Sequence, residues 1–481
     1  MPAIRILDEA TINKIAAGEV IERPASVVKE LIENSIDASA TDIRIEAERG
    51  GKKLIRVTDN GSGMSREDAS LSFIQHSTSK IQKIEDLDNV MTMGFRGEAL
   101  SSICAVAKVE ITTKTKDELA GTKVIVHGGK LNGINDTGAP DGTSVTVEEL
   151  FFNTPARKKY MKSDSTELAH IVDVVTKNAL GHNNVSFTLL HNGKELVRSP
   201  ASPLQETILH IYGQDVARAM LPVNFSSRFA IITGAVSKPA ITRGTMDAQS
   251  FYINSRNVTS RALGFALRKG FGTLLPQGRF PIAVLKISVD TKEVDVNVHP
   301  TKNQVRLSHE WKISEALTLA VGGALSKKDL TPQVTTTQSL LYEKTDRPTM
   351  IREEGTQFRA PFKDTERRLR RTEMGIGGKA EIEKPDVKIL GQVDALYVVA
   401  ETKDGLMIID QHAAHERILF EQVRDSKRTD TQELIVPINL DLDPKEKVLM
   451  KECIPYLEEF GFRISEFGPD AFAITAIPLV L

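Results

Sequence analysis

The chain has 481 residues, 40% of them hydrophobic, with 62 lysines and arginines against 64 aspartates and glutamates for a net charge of −2. At roughly 100–200 residues per domain this length predicts about three domains. The apolar fraction excludes global disorder, and the balanced charge excludes a uniformly basic nucleic-acid coat, so any nucleic-acid contact has to be local. Only two cysteines are present, Cys104 and Cys453, and no CxxC pair. That excludes a disulfide framework or a zinc finger and predicts an intracellular, cytoplasmic protein. The first twenty residues are broken by charge and lack the apolar centre of an export signal. The longest apolar run, Ala471 to Leu481, contains Pro478 and is far shorter than the ~20 residues a membrane span needs.

Pro24 suits the first turn of a helix through ASVVKELIENSIDA. On that helix Val27, Val28, Leu31, Ile32 and Ile36 form an apolar stripe, while Glu30, Glu33, Asn34 and Asp37 recur on one polar face. Such a face is either a solvated surface or a site. Ile43, Ile45 and Ala47 alternate as a strand, Gly50-Gly51 turns, and LIRVTD forms a second strand ending in Asp59-Asn60-Gly61-Ser62-Gly63. An acid at a strand end beside close glycines lets backbone approach a ligand that the carboxylate binds. Gly94 to Gly97 precede another helical run, where unpaired N–H groups could hold phosphates. No Gly-Lys pair is followed by Ser or Thr, and no GxGxxG follows a strand, so the familiar phosphate loops are absent.

Further along, SVTVEEL and VSFTLLHNGKELV read as strands around a helix near Ser165 to Leu180. After a break near 213–220, FAIITGAV, SFYINSRNV, RALGFALRKGF and PIAVLKISVD outline a second α+β unit. Leu330 to Pro385 is polar, charge-rich and aperiodic, which predicts a linker. Alternation resumes at VKILGQVDALYVVAETKDGLMIID, with a hairpin turn at Asp404-Gly405. If a helix follows the strand ending at Asp410, His412 and Glu416 share a face one turn apart, a donor set suited to Zn²⁺ or Mn²⁺. Acids near a helix N-terminus have the alternative explanation of dipole stabilisation.

In order along the chain stand KELIENSIDA, DNGSG, HSTSK, GFRGEALSSI, DGTSV, LFFNTPAR and DVNVHPTK. Together they closely resemble the MutL family of DNA mismatch-repair proteins over residues 1–310. The first motifs also resemble the wider class of gyrase, the ninety-kilodalton heat-shock chaperones and histidine kinases; LFFNTPAR and VNVHPTK separate MutL from these. A topoisomerase or histidine kinase is set aside, because the ATPase motifs begin at the start of the chain and DQHAAHE follows them.

The resemblance implies a multi-domain α+β protein. Residues 1–215 would be a GHKL (Bergerat) α/β-sandwich ATPase and 216–330 a second, ribosomal-protein-like α+β domain. Residues 331–385 would be a flexible linker and 386–481 a partial C-terminal dimerisation/endonuclease domain. It implies ATP and Mg²⁺, with Glu30 as the general base toward water and Asn34 holding the Mg²⁺. Asp59 would accept from the adenine amino group, helped by Gly61, Gly63 and Thr143. Thr78, Ser79, Lys80 and the loop Gly94, Phe95, Arg96, Gly97 would cradle phosphates. Lys302, from the second domain, would reach the γ-phosphate, so that site completion and domain closure are coupled.

The later string resembles DQHAxxExxxxE, the endonuclease motif of MutL relatives that nick DNA. It implies Asp410, His412, Glu416 and Glu421 as ligands or supports for metal-assisted phosphodiester cleavage. The family's later Cys and His ligands find no match, and the ending AITAIPLVL reads as a truncated chain. Gln432 to Pro437 resembles the segment with which such nucleases dock on the replication sliding clamp, and is equally a plain strand.

The remaining implied partners are a MutS-like mismatch sensor, sequence-independent DNA and a second copy of the chain. Arg256, Arg261, Arg268 and Lys269, and the five cations against two acids in Lys363 to Thr372, are candidate phosphate contacts. Two functions compete, an ATP-gated repair clamp with a latent endonuclease and an ATP-gated matchmaker that cuts nothing.

Overall fold

Pro24 opens helix α1 (Pro24–Asp37), where its missing N–H costs nothing. Val27, Val28, Leu31 and Ile32 on that helix are buried, as the stripe predicts. The computed structural model describes residues 17–18, 20–75, 77–78, 93–94, 97–290, 294–295, 306–307, 309–326, 387–393, 396–402, 405–425, 431–440, 442–467 and 471–479. The expected linker, Lys302, Ser79, Lys80, Phe95 and Arg96 lie outside them.

After α1 come β1 (Asp42–Glu48), β2 (Leu54–Asp59), α2 (Arg66–Leu71), α3 (Ala99–Val106), β3 (Lys108–Lys114), β4 (Gly121–His127), β5 (Lys130–Thr137) and β6 (Gly142–Glu148). Next are α4 (Pro155–Tyr160), α5 (Asp164–Gly181), β7 (Ser186–His191) and β8 (Lys194–Ser199). The eight strands form one sheet in the order β5-β4-β3-β6-β2-β1-β7-β8, antiparallel except for the β1–β7 pair. Ile43, Ile45 and Ala47 of β1 point inward alternately and meet the buried faces of α1 and α5 in one core. VSFTLLHNGKELV, read as one strand, is a hairpin: Asn192 and Gly193 take φ of 50° and 79°, a left-handed pair that turns the chain.

The second sheet follows α6 (Leu204–Tyr212) and α7 (Gln214–Ala219). Its strands are β9 (Met220–Ser226), β10 (Ile231–Ser237), β12 (Gln249–Ile253), β13 (Arg256–Val258) and β15 (Ala283–Ser288), ordered β13-β12-β15-β10-β9. The short strands β11 (Thr242–Arg243) and β14 (Phe280–Pro281) pair beside it, as do β16 (Val294–Asp295) and β17 (Arg306–Leu307) with each other. Helices α8 (Arg261–Phe271) and α9 (Glu310–Ser326) cover one face, where Phe251, Ile253 and Leu285 join Leu263, Leu267 and Leu317. The intervening residues Tyr252 and Val284 point the other way, into the same core as Ile171, Val175 and Leu180 of α5. Alternation within single strands thus fuses the two sheets through a shared apolar interior.

The chain divides into two compact units, Met1–Pro332 with Gln432–Ile477, and Gln333–Thr431 with Pro478–Leu481. The second holds the meander β18 (Lys388–Val393), β19 (Tyr397–Thr402) and β20 (Gly405–Asp410), followed by α10 (Gln411–Asp425). Beyond it, β21 (Thr431–Leu440), α11 (Pro444–Glu459), β22 (Arg463–Phe467) and β23 (Ala471–Pro478) build a sheet ordered β21-β23-β22. Among the described residues no helix is long and apolar enough to cross a membrane.

Candidate nucleotide site

The polar face of α1 is not a solvated surface. Glu30 and Glu33 retain only 6% and 9% exposure, while Asn34 and Asp37 are half-buried. Burying a carboxylate is costly unless it is paired or hydrogen-bonded. Here the helix presents acid, amide and acid along one side at positions 30, 34 and 37.

Asp59 ends β2 beside that helix, and its carboxylate is already oriented. Ser35 Oγ donates to Oδ2 at 2.7 Å and the Gly61 N–H donates to Oδ1 at 2.9 Å. Directly across the sheet from Asp59 is Thr143, whose hydroxyl meets that of Thr113 at 3.0 Å. Thr113 also donates to the Gly142 carbonyl at 3.1 Å and accepts from the Met64 N–H at 2.9 Å. The result is an acceptor flanked by hydroxyls at the mouth of a glycine turn. Gly63 holds φ of 68°, and a Cβ there would overlap the Lys114 carbonyl, so this turn requires glycine. Ser35 and Thr113 were not anticipated: a hydroxyl within a helix or a strand carries no periodic signal, and each partner lies more than twenty residues away.

The second group of expected residues begins at the loop before α3. Asp37 grips it with both oxygens, Oδ1 accepting from the Met93 N–H at 2.9 Å and Oδ2 from the Gly94 N–H at 3.0 Å. Gly97 takes φ of 63°, and a Cβ on it would overlap the Ser77 carbonyl next to Thr78. The loop and the Thr78 segment are therefore in close apposition, as a phosphate cradle needs. Next to α1, a cavity of about 130 Å³ is lined by Lys29, Glu33, Met93, Lys177, Tyr252 and Arg256.

Arg256 is thereby corrected. It is 8% exposed, with Glu33 and Asp37 as its charged neighbours, and offers no surface to a DNA phosphate. Arg261 and Lys269 on α8 are exposed, while Arg268 is half-buried with its guanidinium 5.7 Å from the centre of the Phe280 ring.

The C-terminal string behaves differently from the donor set expected of it. Asp410 caps α10, its Oδ1 accepting from the N–H groups of His412 (2.9 Å) and Ala413 (3.1 Å). His412 Nε2 lies 3.1 Å from Glu416 Oε1, both side chains largely exposed. Among the described residues no group of three or more His, Cys, Asp and Glu converges to hold a metal, so Asp410, His412 and Glu416 are not assembled as a ligand set. The Glu421 side chain lies outside the described residues.

Comparison with known proteins adds three family matches. Residues 21–133 match the family described as histidine kinase-, DNA gyrase B-, and HSP90-like ATPase. Residues 208–326 match the DNA mismatch repair protein, C-terminal domain, and 390–481 the MutL C terminal dimerisation domain. The whole chain is 46% identical to the DNA mismatch repair protein MutL of Methanoculleus marisnigri and 42% identical to that of Methanocorpusculum labreanum, covering 85% of each. A crystal structure of the N-terminal domain of a DNA repair protein aligns with a TM-score of 0.57 at 26% identity, over 66% of this chain and 98% of that one.

Proposed function

The chain belongs to the MutL family of DNA mismatch-repair proteins and carries a GHKL-type ATPase domain, and from that footing we propose that it binds and slowly hydrolyses ATP to close a homodimer on DNA, coupling mismatch recognition to strand incision. The segments 1–215, 216–330, 331–385 and 386–481 are its proposed working parts. The dimerisation-domain match over 390–481 supports the homodimer. A MutS-like mismatch sensor, and a sliding clamp reading Gln432 to Pro437, are further proposed partners.

The observation that carries the reading is Asp59, its carboxylate held by Ser35 Oγ and the Gly61 N–H. A fixed acceptor beside Thr143 suits the adenine amino group, and fixing it in advance lowers the ordering cost of binding. Asn34, an amide one turn after Glu30, fits a hard cation, and Mg²⁺ there would neutralise triphosphate charge. Glu30 would take the proton of the attacking water, its buried setting excluding bulk solvent. Thr78, Gly94 and Gly97, with Ser79, Lys80, Phe95 and Arg96, would hold the phosphates, and Lys302 the γ-phosphate. Catalysis then consists of positioning and charge neutralisation.

Glu30→Ala should retain ATP affinity while steady-state hydrolysis falls by at least about a hundredfold, the usual scale of a general base. Phosphate-release assays alongside calorimetric titration read both quantities, and a variant that still turns over removes Glu30 as the base.

A nicking endonuclease in the C-terminal segment is the further activity that DQHAAHE suggests. The described residues there do not fit a metal set, so no step is derived through one. The second reading, an ATP-gated matchmaker that recruits other proteins and cuts nothing, is favoured by Asp410 serving as a helix cap.

A further inference from the structure

Asp37 closes α1 with its carboxylate committed to the Met93 and Gly94 N–H groups. The position is unfavourable in isolation. A helix C-terminus carries partial negative charge, and α1 has no basic residue in its last turn. One turn earlier on the same face is Glu33, and like charges at this spacing repel. Lys29 meets Glu33 one turn below at 3.7 Å.

A further cation facing this acidic side of α1 comes from the second sheet. Arg256 opens β13, is buried, and lines the same cavity as Glu33 and Met93. Burial lowers its proton affinity, and Glu33 and Asp37 raise it again. A guanidinium keeps its charge in such a setting and can donate to two carboxylates at once.

Its approach is fixed by the backbone. Asn254 and Ser255, immediately before it, hold φ of 47° and 71°, the left-handed pair of a two-residue turn between β12 and β13. The turn is anchored. The Asn254 side chain accepts from the Val289 N–H and donates to the Val289 carbonyl, both at 3.0 Å. On β12 next door, the Tyr252 hydroxyl donates to the Lys177 carbonyl of α5 at 2.6 Å.

We propose that Arg256 is a positioning residue of the nucleotide site: through Asp37 it holds the Met93–Gly94 backbone in the orientation that receives the triphosphate, so that phosphate affinity depends on how the second sheet is seated on the first. The inference rests on the nucleotide reading above. It touches only the phosphate end, because Asp59 is oriented by Ser35 and Gly61 independently of Arg256.

The test uses the full chain and calorimetric titration with two probes, adenosine and a non-hydrolysable ATP analogue with Mg²⁺. Arg256→Gln should weaken the analogue about tenfold, the scale of one charged hydrogen bond, while adenosine affinity stays within about twofold. Arg256→Lys should recover part of the loss, and Arg256→Gln combined with Asp37→Ala should bind no more weakly than the weaker single variant. A structural role alone would lower both probes together, and that result overturns the inference, as does an Arg256→Gln chain that binds the analogue like wild type. Should Arg256→Gln not fold, Arg256→Lys makes the same two-probe comparison: a partial loss for the analogue alone is expected, and equal loss for both probes, or none, overturns the inference. A wild-type chain that fails to bind the analogue overturns the nucleotide reading itself, and this inference with it.

Discussion

His182, just after α5, lines the junction between the two sheets, where burial and then the Lys286 ammonium push its pKa down to about 4, against a smaller opposing pull from Asp37. The unfolded imidazole titrates at about 6.5. Between these values the unfolded chain binds a proton that the folded chain does not, so stability is full above about pH 6.5 and falls as pH drops toward 4. His170 and His191 are displaced the same way by burial and steepen the fall. Thermal unfolding of wild type and His182→Gln from pH 7.5 to 4.5 should show wild type losing about 2 kcal/mol more, allowing for partial exposure; parallel curves would remove His182 as a contributor. At this scale the sequence singles out Glu30, Asn34, Asp59 and the glycines as candidates, because helical period, strand alternation and motif order converge on them. It leaves Ser35, Thr113 and Asp37's grip on the loop unseen, since each acts through a fold-dependent contact. Arg256 reads as surface charge for the same reason: nothing local reveals two acids more than 200 residues away.

Helix α8 shows what an element adds to its residues. Leu263, Ala266, Leu267 and Phe271 are buried at helical spacing, which turns Arg261, Phe265 and Lys269 outward; Phe265 remains 71% exposed. Cations in the last turn also complement the helix dipole, so charge alone does not identify a partner. The two exposed cations would suit phosphates, and the exposed Phe265 ring between them would suit an unstacked base. Arg261→Glu and Lys269→Glu should each weaken DNA binding alike for matched and mismatched duplexes and reduce the salt slope by about one contact. A slope unchanged in filter binding from 50 to 200 mM salt would locate the DNA surface elsewhere. Element types were largely legible beforehand, as α1, β2, α5 and β6 illustrate. The β7–β8 hairpin was missed although its Asn192-Gly193 turn is a strong signal, because the apolar run around it masks the break.

For the whole molecule, family membership and a shared fold do not by themselves supply a nuclease. With Asp410 Oδ1 engaged as a helix cap, the matchmaker reading expects this chain with Mn²⁺ to leave supercoiled plasmid intact, with Asp410→Asn indistinguishable from it on an agarose gel. Metal-dependent nicking lost in Asp410→Asn would reinstate the endonuclease. The order of motifs made the ATPase and the second α+β unit visible from sequence, whereas convergence of ligands is a three-dimensional property that spacing cannot guarantee.

Tyr252 and Val284 reaching into the interior around α5 have a mechanical consequence. The apolar part of this joint is close-packed, so swivelling one sheet over the other would open a void there. Close packing at this joint resists independent rotation of the two sheets, so a displacement of one is felt by the other.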